Sequence, residues 1–303
     1  MSAPHSTPLI SVVLPTLNRS ALLPRAIGSV LAQTFGDLEL IVVDDGSDED
    51  IAAVVARFAD PRARVIRHPV RRGAPAARNT GLNAAVGEYV AFQDSDDEWL
   101  LHKLERQVAA LRSASPDIGL AICGMLRVLA DGNLWSYPEP RFIEDFGHDP
   151  LNAVRHHPMA FTQTWLARRS VLLELGGFQE NLKIWDDWEL LLRIASRHRI
   201  QLNPELLALS YITAGSVSSD APARVTDLQR IQAAHAQNGG PRLQARLHYL
   251  SARYRCINND KRGAWSELRL ALGIQPMSAK AWVLGLLMLV PGPIAMRTLT
   301  RAS

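Results

Sequence analysis

The sequence predicts an α/β protein: a mostly parallel sheet flanked by helices, followed by a C-terminal helical appendage. Three observations carry this. Short β-rich runs alternate with helical stretches over the first third of the chain, the pattern of βαβ units with right-handed crossovers. Runs such as Leu38-Glu-Leu-Ile-Val-Val43 lack strict alternation, as strands covered on both faces do. The last quarter, from Ala221 on, carries only helical signal.

Taken in order, Leu9–Leu14 reads as a strand and Ala21–Gln33 as a helix with apolar residues at helical spacing. Leu38–Val43 is a strand, Ile51–Phe58 a helix, Arg64–Arg67 a short strand and Ala74–Val86 a helix. Tyr89–Phe92 is a strand and Leu100–Leu111 a helix. Residues 118–170 read as mixed strand and loop, with a turn at Asp131-Gly132-Asn133 and a surface loop at His156-His157. Gly176-Gly177-Phe178 breaks the chain before a strong helix over Asp186–Ser196. Pro241, Asn258-Asn259 and Pro276 punctuate the helical tail. The boundary is placed near 220, dividing a domain of residues 1–220 (halves 9–115 and 116–220) from a helical region of residues 221–303.

The chain has 303 residues, 33 Lys+Arg against 30 Asp+Glu and 47% hydrophobic residues, which excludes a disordered or disulfide-stapled scaffold. A net charge of +3 with no long basic arm argues against a dedicated nucleic-acid binder. The charge is unevenly spread: residues 1–99 hold 9 basic and 13 acidic side chains, residues 200–303 hold 12 and 5. Cys123 and Cys256 fit no metal or redox spacing and read as inert buried thiols. No signal-peptide pattern opens the chain, and the apolar stretch Ala281–Val290 is about half of a spanning helix, so a cytoplasmic location is expected.

Acidic groups follow predicted strands and open a helix: Asp44-Asp45, Asp94-Ser95-Asp96-Asp97 and Asp186-Asp187. In open α/β sheets ligands bind at the carboxyl ends of the strands. Carboxylates gathered there repel one another unless a cation or hydrogen-bond donors compensate. In extended chain Asp94 and Asp96 face the same side, and such a pair suits Mg²⁺ or Mn²⁺ arriving with substrate phosphates. Each group also has a plain reading as a turn or helix cap, as in Asp186-Asp187 before Leu190, Leu191 and Ile194.

Five motifs in order make the pattern specific: Ile10-Ser-Val-Val-Leu-Pro-Thr-Leu-Asn18, Glu39-Leu-Ile-Val-Val-Asp-Asp-Gly-Ser47, Gly73-Ala-Pro-Ala-Ala-Arg-Asn-Thr-Gly81, Gly87-Glu-Tyr-Val-Ala-Phe-Gln-Asp-Ser-Asp-Asp97, and Trp185-Asp-Asp-Trp-Glu-Leu-Leu-Leu-Arg193 after Gly176-Gly-Phe-Gln-Glu180. Together they resemble the family 2 glycosyltransferases over about two-thirds of the chain. The resemblance implies a GT-A fold with a Rossmann-like, nucleotide-binding half and an acceptor-binding half. It also implies inverting transfer from a nucleotide-diphosphate sugar, UDP by default, to a glycan or lipid-linked acceptor in surface polysaccharide or glycolipid assembly. By the same resemblance Pro15, Thr16, Asp45, Arg78 and Asp94 line the nucleotide site, Asp96 binds Mn²⁺ or Mg²⁺, and Asp187 is the general base. Trp185, Asp186 and Trp188 are candidate acceptor or sugar contacts, the two tryptophans being either core or an aromatic platform.

The chain departs from the family's pattern at Leu17, at Gln93 before the metal motif, and in Tyr211-Ile-Thr-Ala-Gly-Ser-Val-Ser218, which keeps its frame without the Arg and His of many relatives. A glycine-rich phosphate loop after the first strand is absent, which argues against a sugar nucleotidyltransferase, a dinucleotide-dependent dehydrogenase or a P-loop enzyme. A non-catalytic module binding a nucleotide-sugar is the remaining alternative. The basic, apolar tail leaves two readings open: docking at an anionic membrane surface, or helix packing including a homodimer interface.

Overall fold

The computed structural model describes residues 7–129, 131–157, 160–212 and 221–289. The Tyr211–Ser218 segment beyond residue 212, Val290, the Pro291-Gly292-Pro293 break, Arg297 and Arg301 lie outside these residues. The chain forms two compact units, Met1–Asn181 with Asp186–Ala214, and Leu182–Trp185 with Gly215–Ser303.

The first unit opens with β1 (Ile10–Thr16), α1 (Leu23–Leu31), β2 (Leu38–Asp44), α2 (Ile51–Ala56), β3 (Ala63–Arg67), α3 (Ala74–Ala84) and β4 (Tyr89–Phe92). Its four strands pair in parallel in the order β3-β2-β1-β4. All residues of β1 and β4 are buried, the two-sided burial that their apolar runs predict. The helices start on local chemistry: the Asp50 carboxylate accepts a bond from the Ala53 amide, and prolines occupy the first turns of α1 and α3. Gly81 lets α3 approach β1 closely, since a Cβ there would lie 2.3 Å from a Val13 methyl.

Beyond β4 the sheet continues through β5 (Glu98–Trp99), α4 (Lys103–Ser113), β6 (Ile118–Val128), β7 (Leu134–Tyr137), α5 (Pro140–His148), α6 (Pro150–His156), β8 (Trp165–Arg168), α7 (Arg169–Glu174), α8 (Asp186–Arg197) and β9 (Arg199–Tyr211). Among the described residues the sheet has nine strands, ordered β3-β2-β1-β4-β8-β6-β9-β5 with β7 beside β6. The parallel character is confined to β3-β2-β1-β4 and the β6–β9 pair; β8 joins both β4 and β6 antiparallel. His156 closes α6 instead of lying in a loop, and His157 is held by Asp145 through Nε2 at 2.8 Å.

The second unit contains α9 (Ala221–Ala234), α10 (Gly240–Ile257), α11 (Lys261–Ile274) and α12 (Ala279–Leu289). Its breaks fall where turn residues stand: Pro241 in the first turn of α10, Asn259 at φ 62° before α11, and Pro276 before α12. Ala252, Cys256, Ala264, Leu268, Ala281, Leu284 and Met288 form its core, and the buried Asp227 carboxylate accepts the amides of Lys183 and Ile184. Cys123 and Cys256 are both free and buried. No helix of the described residues is long and apolar enough to cross a membrane.

Candidate active site

The strand order reverses between β1 and β4: the chain runs outward through β2 and β3, then returns to the other side of β1. Carboxyl ends flanking such a reversal form the ligand crevice of open α/β sheets. β1 bonds β4 only as far as the Val13 carbonyl, which accepts the Gln93 amide, but follows β2 to Thr16, whose carbonyl accepts the Asp45 amide. Pro15 therefore stands past the end of β4, where its missing N–H leaves no ladder bond unmade. Thr16 Oγ1 and both polar atoms of the Gln93 side chain are buried without a protein partner at these strand ends, which makes the floor of the crevice polar.

Four of the predicted site residues meet around one guanidinium. Arg78, on α3, donates to Asp186 at 2.7 Å and to Asp94 at 3.0 Å, and its charge also acts on Asp187. This joins the end of β4 to the first turn of α8, residues 108 positions apart in the case of Arg78 and Asp186. Burial opposes the Arg78 charge, but Asp186, Asp94 and Asp187 more than offset it and hold the group firmly cationic. Asp187, half-buried at the start of α8, accepts the Trp188 amide. Burial and the neighbouring Asp186 push its carboxyl well above the usual carboxylate range, against the pull of Arg78. Burial likewise raises Asp186.

Asp94-Ser95-Asp96-Asp97 is a turn closed by the Asp97 amide on the Asp94 carbonyl, at 3.2 Å, so the extended i, i+2 geometry expected of Asp94 and Asp96 does not hold. Its acids take separate partners. Asp94 pairs with Arg78, Asp96 with Arg19, and the buried Asp97 accepts Gln163 Nε2 at 2.7 Å and the Tyr211 amide at 3.0 Å. Burial and the charges of Asp94 and Asp96 push Asp97 up to about 8. Among the described residues no three His, Cys, Asp or Glu side chains are grouped as a metal cage. The donor set, two partly exposed carboxylates on an acid-rich turn, fits a hard oxygen-ligand cation whose other ligands come from a substrate.

Asp45 takes a different set of partners: Oδ1 accepts His68 Nδ1 at 2.8 Å and the Arg72 amide at 2.9 Å, and Oδ2 accepts the Gly73 amide at 2.7 Å. It thus fixes the loop that leads into α3. Of the two tryptophans, Trp188 takes the core reading, fully buried with its indole N–H on the Val154 carbonyl at 2.8 Å. Trp185 belongs to the second unit and packs near Tyr254, ring centroids 6.1 Å apart.

Three basic residues escaped the sequence reading. Arg19 pairs with Asp96, Arg25 donates to the Asp96 carbonyl and lies 3.9 Å over the Tyr211 ring, and Arg127 on β6, half-buried and donating to Ser210 Oγ at 3.3 Å, is a cation on which the charges of Asp97, Asp94, Asp187 and Asp96 act. Asn79, beside Arg78 in its motif, clasps Phe178 through both backbone groups and so fixes the Gly176-Gly177 turn, whose two glycines have φ of 76° and 68°.

The family model described as Glycosyl transferase family 2 matches residues 11–176. Over 239 residues the chain is 31% identical to the succinoglycan biosynthesis protein ExoO of Rhizobium meliloti, covering 75% of this chain and 66% of that one. Over 103 residues it is 39% identical to the Escherichia coli UDP-Glc:alpha-D-GlcNAc-diphosphoundecaprenol beta-1,3-glucosyltransferase WfgD, a match spanning 34% of this chain and 41% of that protein. Among solved structures, the mannosyltransferase PcManGT of Pyrobaculum calidifontis, in complex with GDP-Man and Mn²⁺, superposes with a TM-score of 0.64 at 22% identity, covering 98% of this chain and 85% of that one. That likeness shows the GT-A fold.

Proposed function

The chain belongs to glycosyl transferase family 2, and on that premise we propose that it moves a sugar, with inversion, from a nucleotide-diphosphate donor to an acceptor hydroxyl, with Asp187 as general base. The observation that carries this reading is the Arg78 junction, which sets the acids of the strand ends against the acids that open α8. One side suits a donor and the other an acceptor. The similarity to WfgD and ExoO supports a UDP-sugar donor, a lipid-linked or glycan acceptor, and a place in polysaccharide assembly.

In this reading Pro15 and Thr16 floor the nucleotide pocket. Asp45, with three donors already on its carboxylate, keeps a lone pair for a base N–H. Asp187 accepts the acceptor hydroxyl's proton as that oxygen attacks the anomeric carbon and the bond to the diphosphate breaks. Its raised pKa makes it a stronger base than an ordinary carboxylate, and Arg78, paired with Asp186, partly offsets the rise that burial gives that neighbour. Arg127 and Arg19 supply positive charge where the diphosphate departs. A Mn²⁺ or Mg²⁺ ion, when bound, would be held by Asp96 with Asp94 and would supply further charge neutralisation on the diphosphate.

The test is Asp187→Asn. It is expected to keep its thermal shift with UDP while losing transfer by roughly 10²- to 10⁴-fold, the usual worth of a general base. Turnover near that of the native chain would refute the assignment of the base.

A further inference from the structure

The second unit carries a face that its own core does not use. In α12, Ala281, Leu284, Gly285 and Met288 recur at helical spacing and pack inward on Ala264 and Leu268 of α11. The opposite side of the same helix is apolar too: Trp282 is 57% exposed, Val283 54%, Leu286 64% and Leu289 72%. Met277, in the connection before α12, is 93% exposed, and Leu270 on α11 is 50% exposed. From Ala281 to Leu289 no polar side chain occurs, whereas a surface helix of a globular protein places charged or polar residues on its outer face.

The exposed side of the neighbouring helix is basic. Arg262, Ser266 and Arg269 follow one another along the exposed side of α11, and with Trp265 and Leu270 they line a shallow groove. Lys280 stands in the first turn of α12. Residues 261–289 hold four basic side chains and a single acid, Glu267, which is largely buried and paired with His248. At about 16 Å, α12 is too short to span a bilayer, but its length and its Trp suit a helix lying along the headgroup boundary.

We propose that the exposed face of α11 and α12 docks on the surface of an anionic bilayer. Charge complementarity selects this occupant. Two copies of the face set against each other about a twofold axis would bring Arg262 and Arg269 near their own like, whereas phosphate headgroups neutralise them. Exposed Trp282 and Leu286 would enter the boundary between headgroups and acyl chains. The inference deepens the proposed reading and rests on it only for the reason such a surface is useful: a lipid-linked acceptor is met there.

The experiment is co-sedimentation of the full chain with phosphatidylcholine vesicles, alone or with about one-third phosphatidylglycerol, repeated at about 0.5 M NaCl to screen the charges. The native chain is expected to bind the anionic vesicles and to lose most of that binding in salt. Trp282→Glu with Leu286→Glu should lower binding roughly tenfold, and Arg262→Glu with Arg269→Glu should remove the salt-sensitive part. Circular dichroism and sedimentation velocity accompany each variant, and single substitutions to Ser at 282 and 286 serve if the double variant unfolds. Equal binding to neutral and anionic vesicles, or variants that bind as the native chain does, would overturn the proposal. So would a native dimer that the Trp282 and Leu286 changes convert to monomer. Transfer to a water-soluble acceptor is measured separately, so that failure of the glycosyltransferase reading leaves the vesicle result standing on its own.

Discussion

Arg19 shows how the charge at the strand ends is arranged. Its guanidinium pairs with Asp96, the carboxylate proposed to meet the divalent ion, and the pair is only partly screened at 22% and 19% side-chain exposure. Any cation bound by Asp96 must displace or share that contact, so Arg19 lowers metal affinity until a donor brings phosphates that hold both. Arg19→Ala is therefore expected to bind Mn²⁺ alone about fivefold more tightly, the equivalent of a partly exposed ion pair worth about 1 kcal/mol. The spectrum of free Mn²⁺ measures this without turnover, and unchanged or weaker affinity would show that the pair does not compete. That Asp94, Arg78 and Asp187 lie together was legible in the sequence through their motifs, which follow a strand, occupy α3 and open a helix. Arg127 was not. It lies within the eleven residues of β6 with no pattern around it, and its electrostatic tie to acids distant in the chain comes from the tertiary fold.

At the scale of elements, the parallel strands were legible because two-sided burial writes uninterrupted apolar runs. The chain from residue 116 to 212 was not, for local reasons. α5 buries only Phe142 and Phe146, too thin a stripe to register as a helix. β9 contains Pro204 and slips register against β6 around Gly124, where a Cβ would lie 2.4 Å from the Pro204 carbonyl. α4 carries an unexpected interior charge: Lys103 is fully buried, donating to Gln107 Oε1 at 2.7 Å and the Trp165 carbonyl at 3.3 Å, with the Trp99 ring 4.0 Å from Nζ. Burial lowers its pKa from 10.5 to about 8. Between those values the unfolded chain binds the extra proton, so this residue makes stability rise with pH from about 8 to about 10.5, and its cost is fully present below 8. Cys123, raised to about 11 by burial, acts in the opposite sense above its ordinary value of 9.0, and Asp97, raised to about 8, does so up to the bottom of pH 8–9, so in that window Lys103 is read as the difference between two chains that share both groups. Lys103→Met should flatten the rise in melting temperature across that window. An unchanged slope would mean that the lysine does not lose its proton on folding.

At the scale of the molecule, the two compact units differ in what a nucleotide can do to them. Every group in the proposed donor site, from Thr16 through Asp45, Arg78 and Asp94 to Asp187, belongs to the first unit, although β1 and α8 are far apart in the chain. A ligand that binds only the folded form stabilises it by about 2.7 kcal/mol at a hundredfold excess over Kd. The segments it touches gain protection from local opening before the rest of the fold does. UDP with Mn²⁺ should therefore slow amide exchange at residues 14–18, 44–47, 93–97 and 186–189. The α10–α11 pair, whose core is built from Ala252, Cys256, Ala264 and Leu268, should exchange as it does without ligand. Protection confined to the second unit, or to the first unit away from the ends of β1, β2 and β4, would place the nucleotide elsewhere and with it the catalytic role of Asp187. Protection of 93–97 together with 186–189 would mean that the donor is read by both sides of the Arg78 junction, because strand end and helix start are then ordered by a single binding event.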